Sequence, residues 1–261
     1  MIDFHSHLVP GVDDGAADVE QARAAFAGLR GQGVHTAITT PHLRGALTAH
    51  PDRLRARLDQ VEAAWKEARE VAAAEEPPLR LELGAEVMLD TGTTDLTDPR
   101  TRLAGTPFAL VEFPRMLVPV NAEQTLSYLL EHGWMPIVAH PERYPNLHEE
   151  LRDAAEWRRM GVRLQVNAGS LLGRFGRDAQ GRAWRLVRLG WADYLASDYH
   201  ARGRPALAGA RELLQSRGGE EQAALLLETN AARLLEGRAP LEVPPLEVPP
   251  PLWKRILRLG E

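Results

Sequence analysis

Apolar positions along this chain follow two alternating rhythms. Short, mostly continuous apolar runs at 2–5, 34–40, 79–86, 108–113, 136–140, 162–167 and 194–198 read as strands. Between them, apolar residues recur every third or fourth position. The stretch 19–30 puts Val19, Ala22, Phe26 and Leu29 on one helical face. The stretch 52–74 repeats the spacing with Leu54, Leu58, Val61, Trp65 and Ala68, and Pro51 suits its first turn. Helical patterns at 122–132, 148–160 and 179–189 each stop at a glycine, namely Gly133, Gly161 and Gly190. Patterns at 207–217 and 220–235 complete the set. Strand and helix alternating about seven times imply a parallel sheet, because parallel neighbours need crossover connections. This many units favours closure into a barrel. The alternative, an open doubly wound sheet, usually carries a Gly-rich phosphate loop after its first strand, and none is present.

The pattern changes near the C-terminus. Residues 237–251 are Pro-rich, with Leu-Glu-Val-Pro-Pro repeated at 241–245 and 246–250, which predicts an extended linker. Residues 252–259 set Leu252, Trp253, Ile256, Leu257 and Leu259 beside Lys254, Arg255 and Arg258. This predicts a short amphipathic basic tail that docks on its own main domain or makes a weak contact with a membrane surface. The expected organisation is a main domain at 1–236, a linker at 237–251 and a tail at 252–261.

Composition narrows the function. A net charge of -5 over 261 residues offers no global basic field to draw in nucleic acid. The chain has no cysteine, hence no disulfide, no thiolate metal site and no cysteine nucleophile. It has no basic-apolar leader and no uninterrupted apolar run of about 18 residues, so a cytoplasmic protein without a transmembrane helix is expected. Oligomeric state is not legible.

The predicted strand ends carry the chemistry. Strand one leads into His5 and His7, which alternation turns to the same side, with Asp13 and Asp14 in the loop behind. The second strand leads to His42, the third to Glu86, the fourth to Glu112 and the fifth to His140. The sixth ends at Asn167, and the seventh at Asp198, followed by His200. Each residue alone has an ordinary reading as a turn, cap or surface charge. Together, in a barrel, they gather on the C-terminal face, where such folds keep their active sites. So many imidazoles and carboxylates in one place call for cations between them. Nitrogen and oxygen donors without sulfur suit manganese, iron, zinc or nickel, and their number suits two or three ions. His35, His50, His132 and His148 stand away from predicted strand ends and receive no metal role.

With these residues in view the chain resembles the PHP superfamily, named for polymerase and histidinol phosphatase. Within it, the resemblance is closest to the bacterial manganese-dependent protein-tyrosine phosphatases of capsule and exopolysaccharide clusters. It rests on Ile2-Asp-Phe-His-Ser-His-Leu-Val-Pro-Gly-Val-Asp-Asp-Gly15, Thr40-Pro-His42, Gly84-Ala-Glu86, Leu110-Val-Glu-Phe113, Ile137-Val-Ala-His-Pro-Glu-Arg-Tyr144, Gln165-Val-Asn-Ala-Gly-Ser170 and Ala196-Ser-Asp-Tyr-His200. The resemblance implies a distorted (β/α)7 TIM-like barrel with a trinuclear site, manganese first among the metals and iron or zinc next. His5, His7, Glu86 and Asp198 would hold one ion. Asp14, His42 and His200 would hold a second. Glu86, Glu112 and His140 would hold a third, with Glu86 bridging. Arg143 and Arg204 match arginines that engage phosphate, although the loop after His200 is one residue shorter than is usual in that branch. No organic cofactor is implied.

The expected activity is phosphomonoester hydrolysis. Bridging ions lower the pKa of bound water and supply hydroxide near neutral pH for direct attack on phosphorus, with no phosphoenzyme. The first substrate reading is phosphotyrosine, with a bacterial tyrosine kinase's phosphorylated tail as partner. A phenolate leaves with a conjugate pKa of about 10 and needs less acid assistance than an alkoxide. Two alternatives stand beside it: a small phosphomonoester such as histidinol phosphate, and a non-enzymatic metal-containing binding module. Long loops at 43–51 and 88–107 are expected to shape the pocket.

Overall fold

The computed structural model describes residues 1–148 and 150–246. Among the described residues nine short strands pair in parallel throughout. They are β1 (Ile2–Asp3), β2 (Thr36–Thr39), β3 (His42–Arg44), β4 (Arg80–Leu83), β5 (Glu86–Met88), β6 (Phe108–Glu112), β7 (Met135–Ala139), β8 (Arg163–Asn167) and β9 (Tyr194–Ala196). One sheet has the order β1-β2-β4, the other β3-β5-β6-β7-β8-β9.

The sheets divide where the chain cannot keep a regular ladder. Pro41, which has no N–H to donate, separates β2 from β3, and Gly84-Ala85 separates β4 from β5. Pairing resumes across both breaks. Gly84 donates to the Thr39 carbonyl at 2.9 Å, and Glu86 N–H is shared between the carbonyls of Thr40 and Pro41 at 3.3 and 3.2 Å. Space there is tight, since a Cβ on Gly84 would sit 3.1 Å from the Leu103 backbone. At the far edge, Ser6 bridges Tyr199, Asp198 N–H donates to His5 O, and His7 N–H donates to Tyr199 O, both at 2.9 Å.

The first strand is shorter than its apolar pattern predicts. The regular ladder stops at Asp3, and side chains satisfy some of the backbone groups around the break. Asp3 accepts from Ser197 N–H at 2.9 Å, and Leu8 N–H donates to Thr39 Oγ1 at 2.9 Å.

The helices are α1 (Val19–Arg30), α2 (Pro51–Ala73), α3 (Ala122–Glu131), α4 (Arg152–Met160), α5 (Ala168–Leu171), α6 (Arg177–Arg188), α7 (Leu207–Gln215), α8 (Glu220–Ala224) and α9 (Asn230–Leu235). Asp18 caps α1 by accepting from Gln21 N–H at 2.8 Å, and the helix buries Ala22, Ala25, Phe26 and Leu29 as its spacing predicts. Helix α4 starts at Arg152 rather than at 148, because Leu151 takes a left-handed φ of 58°. The last predicted helix, 220–235, contains a π-helical turn at Leu225–Thr229. The loop expected at 43–51 instead holds β3 and a 3-10 turn, Gly45–Ala49. The loop at 88–107 carries short 3-10 turns at Pro99–Thr101 and Leu103–Gly105.

Strand residues of one parity (Ile2, Ile38, Phe108, Leu110, Ile137, Tyr194) form one buried group, with Ala231 and Leu234 of α9 against it. The opposite parity (Ala37, Ala109, Val111, Val138, Leu164, Leu195) packs with the helices. Strands β1, β2, β6, β7, β8 and β9 are largely buried on both faces, which explains their continuous apolar runs. No described helix is long and apolar enough to cross a membrane.

The Pro-rich segment is non-helical as far as residue 246. It lies against the body: Val243 and Leu246 are buried, Gln222 Nε2 donates to Pro244 O at 3.2 Å, and Leu246 N–H donates to Arg188 O at 3.2 Å. The tail predicted at 252–261 lies outside the described residues.

Candidate metal centre

Parallel strands deliver their C-terminal ends to one side, and the metal-competent residues stand there. His42 opens β3 and pairs in register with Glu86, which opens β5. Glu112 closes β6. His140 follows β7, and Asp198 and His200 follow β9. His5 and His7 come from the extended chain after β1, and Asp14 from the loop beyond. His140 and Asp198 hold left-handed backbones, with φ of 37° and 51°. Non-glycine residues there cost on the order of 1–3 kcal/mol each and persist where the surroundings over-determine them.

Four overlapping groups of potential ligand atoms result: His5, His7 and Glu86; His5, His140 and Asp198; His42, Glu86 and Glu112; and His7, Asp14, His42 and His200. His5 Nε2 and His7 Nε2 lie 3.3 Å apart, each 3.3 Å from Glu86 Oε2. His140 Nε2 meets Glu86 Oε1 at 3.0 Å. Burial grades from floor to mouth: Glu86 is 1% exposed, His42 36% and Asp14 60%.

Outer partners aim the rings. His5 Nδ1 lies 2.9 Å from Gln165 Oε1 and His7 Nδ1 2.8 Å from Asp13 Oδ2, which leaves both Nε2 atoms pointing inward. His200 Nδ1 lies 2.9 Å from the Asp198 carbonyl. Gln165 Nε2 donates to Asn167 Oδ1 at 2.8 Å, and Asn167 Nδ2 donates to Asp198 Oδ2 at 2.9 Å. One hydrogen-bonded chain thus joins His5 to Asp198.

Electrostatics follow from this crowding. Burial opposes charge on His7, but Asp13 and Glu86 lift its pKa to about 9. Burial likewise opposes charge on His42, and Glu112 with Glu86 lifts it to about 11. Burial works against an ionised Glu86, yet His5, His140 and His42 hold it well below the usual carboxylate range. Asp198 is lowered to about 2, its burial outweighed by His5 and His140. His200 is pushed down by burial and by neighbouring His7.

The residues fit divalent cations. His42 Nδ1 is buried 3.1 Å from Glu86 Oε2 and 3.4 Å from Glu112 Oε1, yet is aligned for a hydrogen bond with neither. His140 Nδ1 is also buried without a hydrogen-bond partner among the described residues. The converging imidazole nitrogens of His5 and His7 crowd onto a single carboxylate oxygen, Glu86 Oε2, whereas a cation between them accepts both lone pairs.

Beside the cluster, Arg143 donates from Nη1 to Asp198 Oδ2 at 2.6 Å, and its guanidinium carbon lies 4.4 Å over the Phe175 ring. Arg204 is placed differently. Its side chain is exposed without a hydrogen bond or ion pair among the described residues, and only its carbonyl is engaged, by Arg174 Nη1 at 2.6 Å.

Residues 1–236 match the family described as capsular polysaccharide synthesis, CpsB/CapC. The chain belongs to the CpsB/CapC family. The tyrosine-protein phosphatase YwqE of Bacillus subtilis is 33% identical over 207 residues, 77% of each chain. The tyrosine-protein phosphatase CpsB of Streptococcus agalactiae is 28% identical over 248 residues, 90% of this chain and 98% of that one. A chain from the crystal structures of YwqE from Bacillus subtilis and CpsB from Streptococcus pneumoniae, unique metal-dependent tyrosine phosphatases, superimposes with a TM-score of 0.77 at 30% identity. It covers 96% of this chain and 100% of that one.

In this CpsB/CapC member all nine ligand candidates read from the sequence fall within the four groups. Their partition differs from the trinuclear expectation: Glu112 groups with His42 and Glu86, His140 with His5 and Asp198, and His7 also joins Asp14, His42 and His200. The orienting residues Asp13 and Gln165 and the stacking residue Phe175 escaped the sequence reading. Asp13 is adjacent to Asp14, and nothing in the spacing separates a ligand from the acid that aims one. Gln165 sits two residues before Asn167, on the same strand face, which is the available signal.

Proposed function

We propose that this chain is a divalent-metal-dependent phosphomonoester hydrolase whose substrate is phosphotyrosine in a protein. The observation that carries the reading is the convergence of five imidazoles and four carboxylates at one end of the sheets, with Arg143 fastened to their edge. Membership of the CpsB/CapC family supports it, as do relatives named tyrosine-protein phosphatases. The natural partner in this reading is a bacterial tyrosine kinase of a capsule or exopolysaccharide system, met in the cytoplasm. The fold in the same reading is a distorted (β/α)7 barrel, supported by the contacts that carry pairing across the breaks at Pro41 and Gly84 and from Ser6 to Tyr199.

His5, His7, Glu86 and Asp198 would hold one ion, and Asp14, His42 and His200 a second. Glu86 would bridge to a third, held with Glu112 and His140. Manganese heads the candidates, with iron or zinc next. When bound, such ions activate water as the nucleophile and neutralise phosphoryl charge. Arg143 grips the equatorial oxygens with its fork, where charge concentrates during transfer. Asp198 and Phe175 hold that fork on two sides, so less freedom is lost when the anion arrives. Arg204 is a further phosphate ligand in this reading.

The test is phosphate release by manganese-loaded protein from a phosphotyrosine peptide and from histidinol phosphate at matched concentrations. A preference for the peptide of about a hundredfold in kcat/KM, ~2.7 kcal/mol, is expected. The reverse preference moves the reading to small phosphomonoesters.

A further inference from the structure

His42 belongs to two environments. One side meets Asp14, Glu86 and Glu112 of the metal cluster. The other borders an open groove of about 590 Å3, floored by Leu43 and Leu47 and ringed by Arg44, His50, Arg53 and Arg57. Among the described residues no carboxylate lines it. Three guanidiniums in one groove stand out on a chain whose net charge is -5.

The charges are differently committed. Arg57 is half-buried and donates to the Val12 carbonyl at 2.7 Å, which makes it part of the wall. Arg44 is 74% exposed and bonds Asp90 Oδ2 at 3.0 Å. Arg53 and His50 are exposed, and their side chains have no hydrogen bond or ion pair among the described residues. They stand at the start of α2, whose first-turn N–H groups add positive potential. Asp52 lies in the same turn but not in the lining. Guanidiniums kept in water without partners are poor stabilisers of a fold and good receptors for carboxylates.

We propose that this groove docks acidic side chains flanking the phosphotyrosine of a protein substrate, which rests on the phosphatase reading above. The groove begins at a metal-cluster residue, so a peptide whose phosphoryl group lies at the cluster continues into it. A small phosphomonoester occupies the cluster alone and gains nothing from Arg44 or Arg53. The groove therefore selects among phosphotyrosines by the acidity of their neighbours.

The experiment compares kcat/KM for two phosphotyrosine peptides of equal length, one with Glu and Asp flanks and one with Ala flanks. Wild-type protein is set against Arg44→Glu/Arg53→Glu and against Arg53→Ala, with circular dichroism as the folding check. Wild type is expected to prefer the acidic peptide. The double variant is expected to cut that preference about tenfold, and 0.5 M salt to weaken it in wild type. Equal rates on both peptides in wild type overturn the proposal, and so does a preference that the variants leave intact. Binding of the labelled acidic peptide, with Phe in place of phosphotyrosine, is read separately by fluorescence anisotropy. If the manganese-loaded protein hydrolyses no aryl phosphate, the phosphatase reading fails. Anisotropy then decides the groove: binding lost in the double variant sustains it, and no binding overturns it. Sedimentation with phosphatidylserine vesicles that the variants abolish, with peptide preference unchanged, assigns the groove to lipid and also overturns the proposal.

Discussion

Arg143 reaches from the turn after β7 to the chain end after β9 and donates to Asp198 Oδ2 at 2.6 Å. A side chain suited to phosphate is thereby fastened to one suited to metal. Arg143→Lys keeps the charge and loses the fork. It is expected to lower kcat/KM on p-nitrophenyl phosphate about a hundredfold while bound manganese, measured by mass spectrometry, stays constant. Metal loss in parallel with activity would make the arginine a support for Asp198 instead.

Phe175 is 43% exposed beneath the same guanidinium. Phe175→Ala removes a contact worth about 0.5–1 kcal/mol at an exposed site. A rise in KM of about two- to fivefold with near-constant kcat is expected in steady-state kinetics. A change confined to kcat would contradict a role in holding Arg143 for the ground-state complex.

Gln165 touches no candidate ion and yet aims His5. Gln165→Leu is expected to weaken manganese binding about 10- to 100-fold, as measured by titration against the electron paramagnetic resonance signal of free manganese. Unchanged affinity would mean that packing alone orients the ring.

Gly15 lies so close under His7 that a Cβ would fall 1.9 Å from the His7 carbonyl oxygen. Gly15→Ala must therefore move the loop that carries Asp13 and Asp14. Lost metal binding with a far-ultraviolet spectrum like wild type is the expected result. Full metal occupancy would show the loop to be more compliant than its contacts imply.

Glu228 supplies a pH dependence remote from the cluster. It meets the Met1 ammonium at 3.0 Å and His35 Nε2 at 2.8 Å. Partial burial opposes its ionisation, but these partners lower its pKa below 4.5. A depressed carboxylate stabilises the fold above its unfolded pKa, and that contribution fades as pH falls through the folded value. The group is 44% exposed, so the contribution is under about 1 kcal/mol. Urea melts of Glu228→Gln should show a small deficit at pH 7 that closes below about pH 4. A deficit constant across that range would point to packing.

The strand ends were legible because two local signals coincide there: an apolar run stops, and an imidazole or carboxylate follows. Period-two alternation placed His5 with His7 even though the regular ladder ends at Asp3. The break at Gly84 was less legible, since the predicted strand 79–86 runs through it, and the resumption of pairing as β3 after Pro41 was not legible, since the run at 34–40 stops before it. The late start of α4 depends on one left-handed residue, Leu151, with no glycine to announce it. Gln165 and Asp13 act through partners 160 and 6 residues away, and composition carries no trace of the first pairing. The packing of residues 241–246 was likewise invisible, because its acceptors and donors lie on α6, α8 and α9.

That same segment has a directional consequence. Asn230 holds Leu241 by two hydrogen bonds and also donates to the Asp193 carbonyl, just ahead of β9, while Leu246 is held at Arg188. These anchors stand near the start of β9, whereas His5, His7, His140 and His200 follow the ends of β1, β7 and β9. A label attached at residue 246 itself therefore sits at the end of the strands away from the histidine cluster.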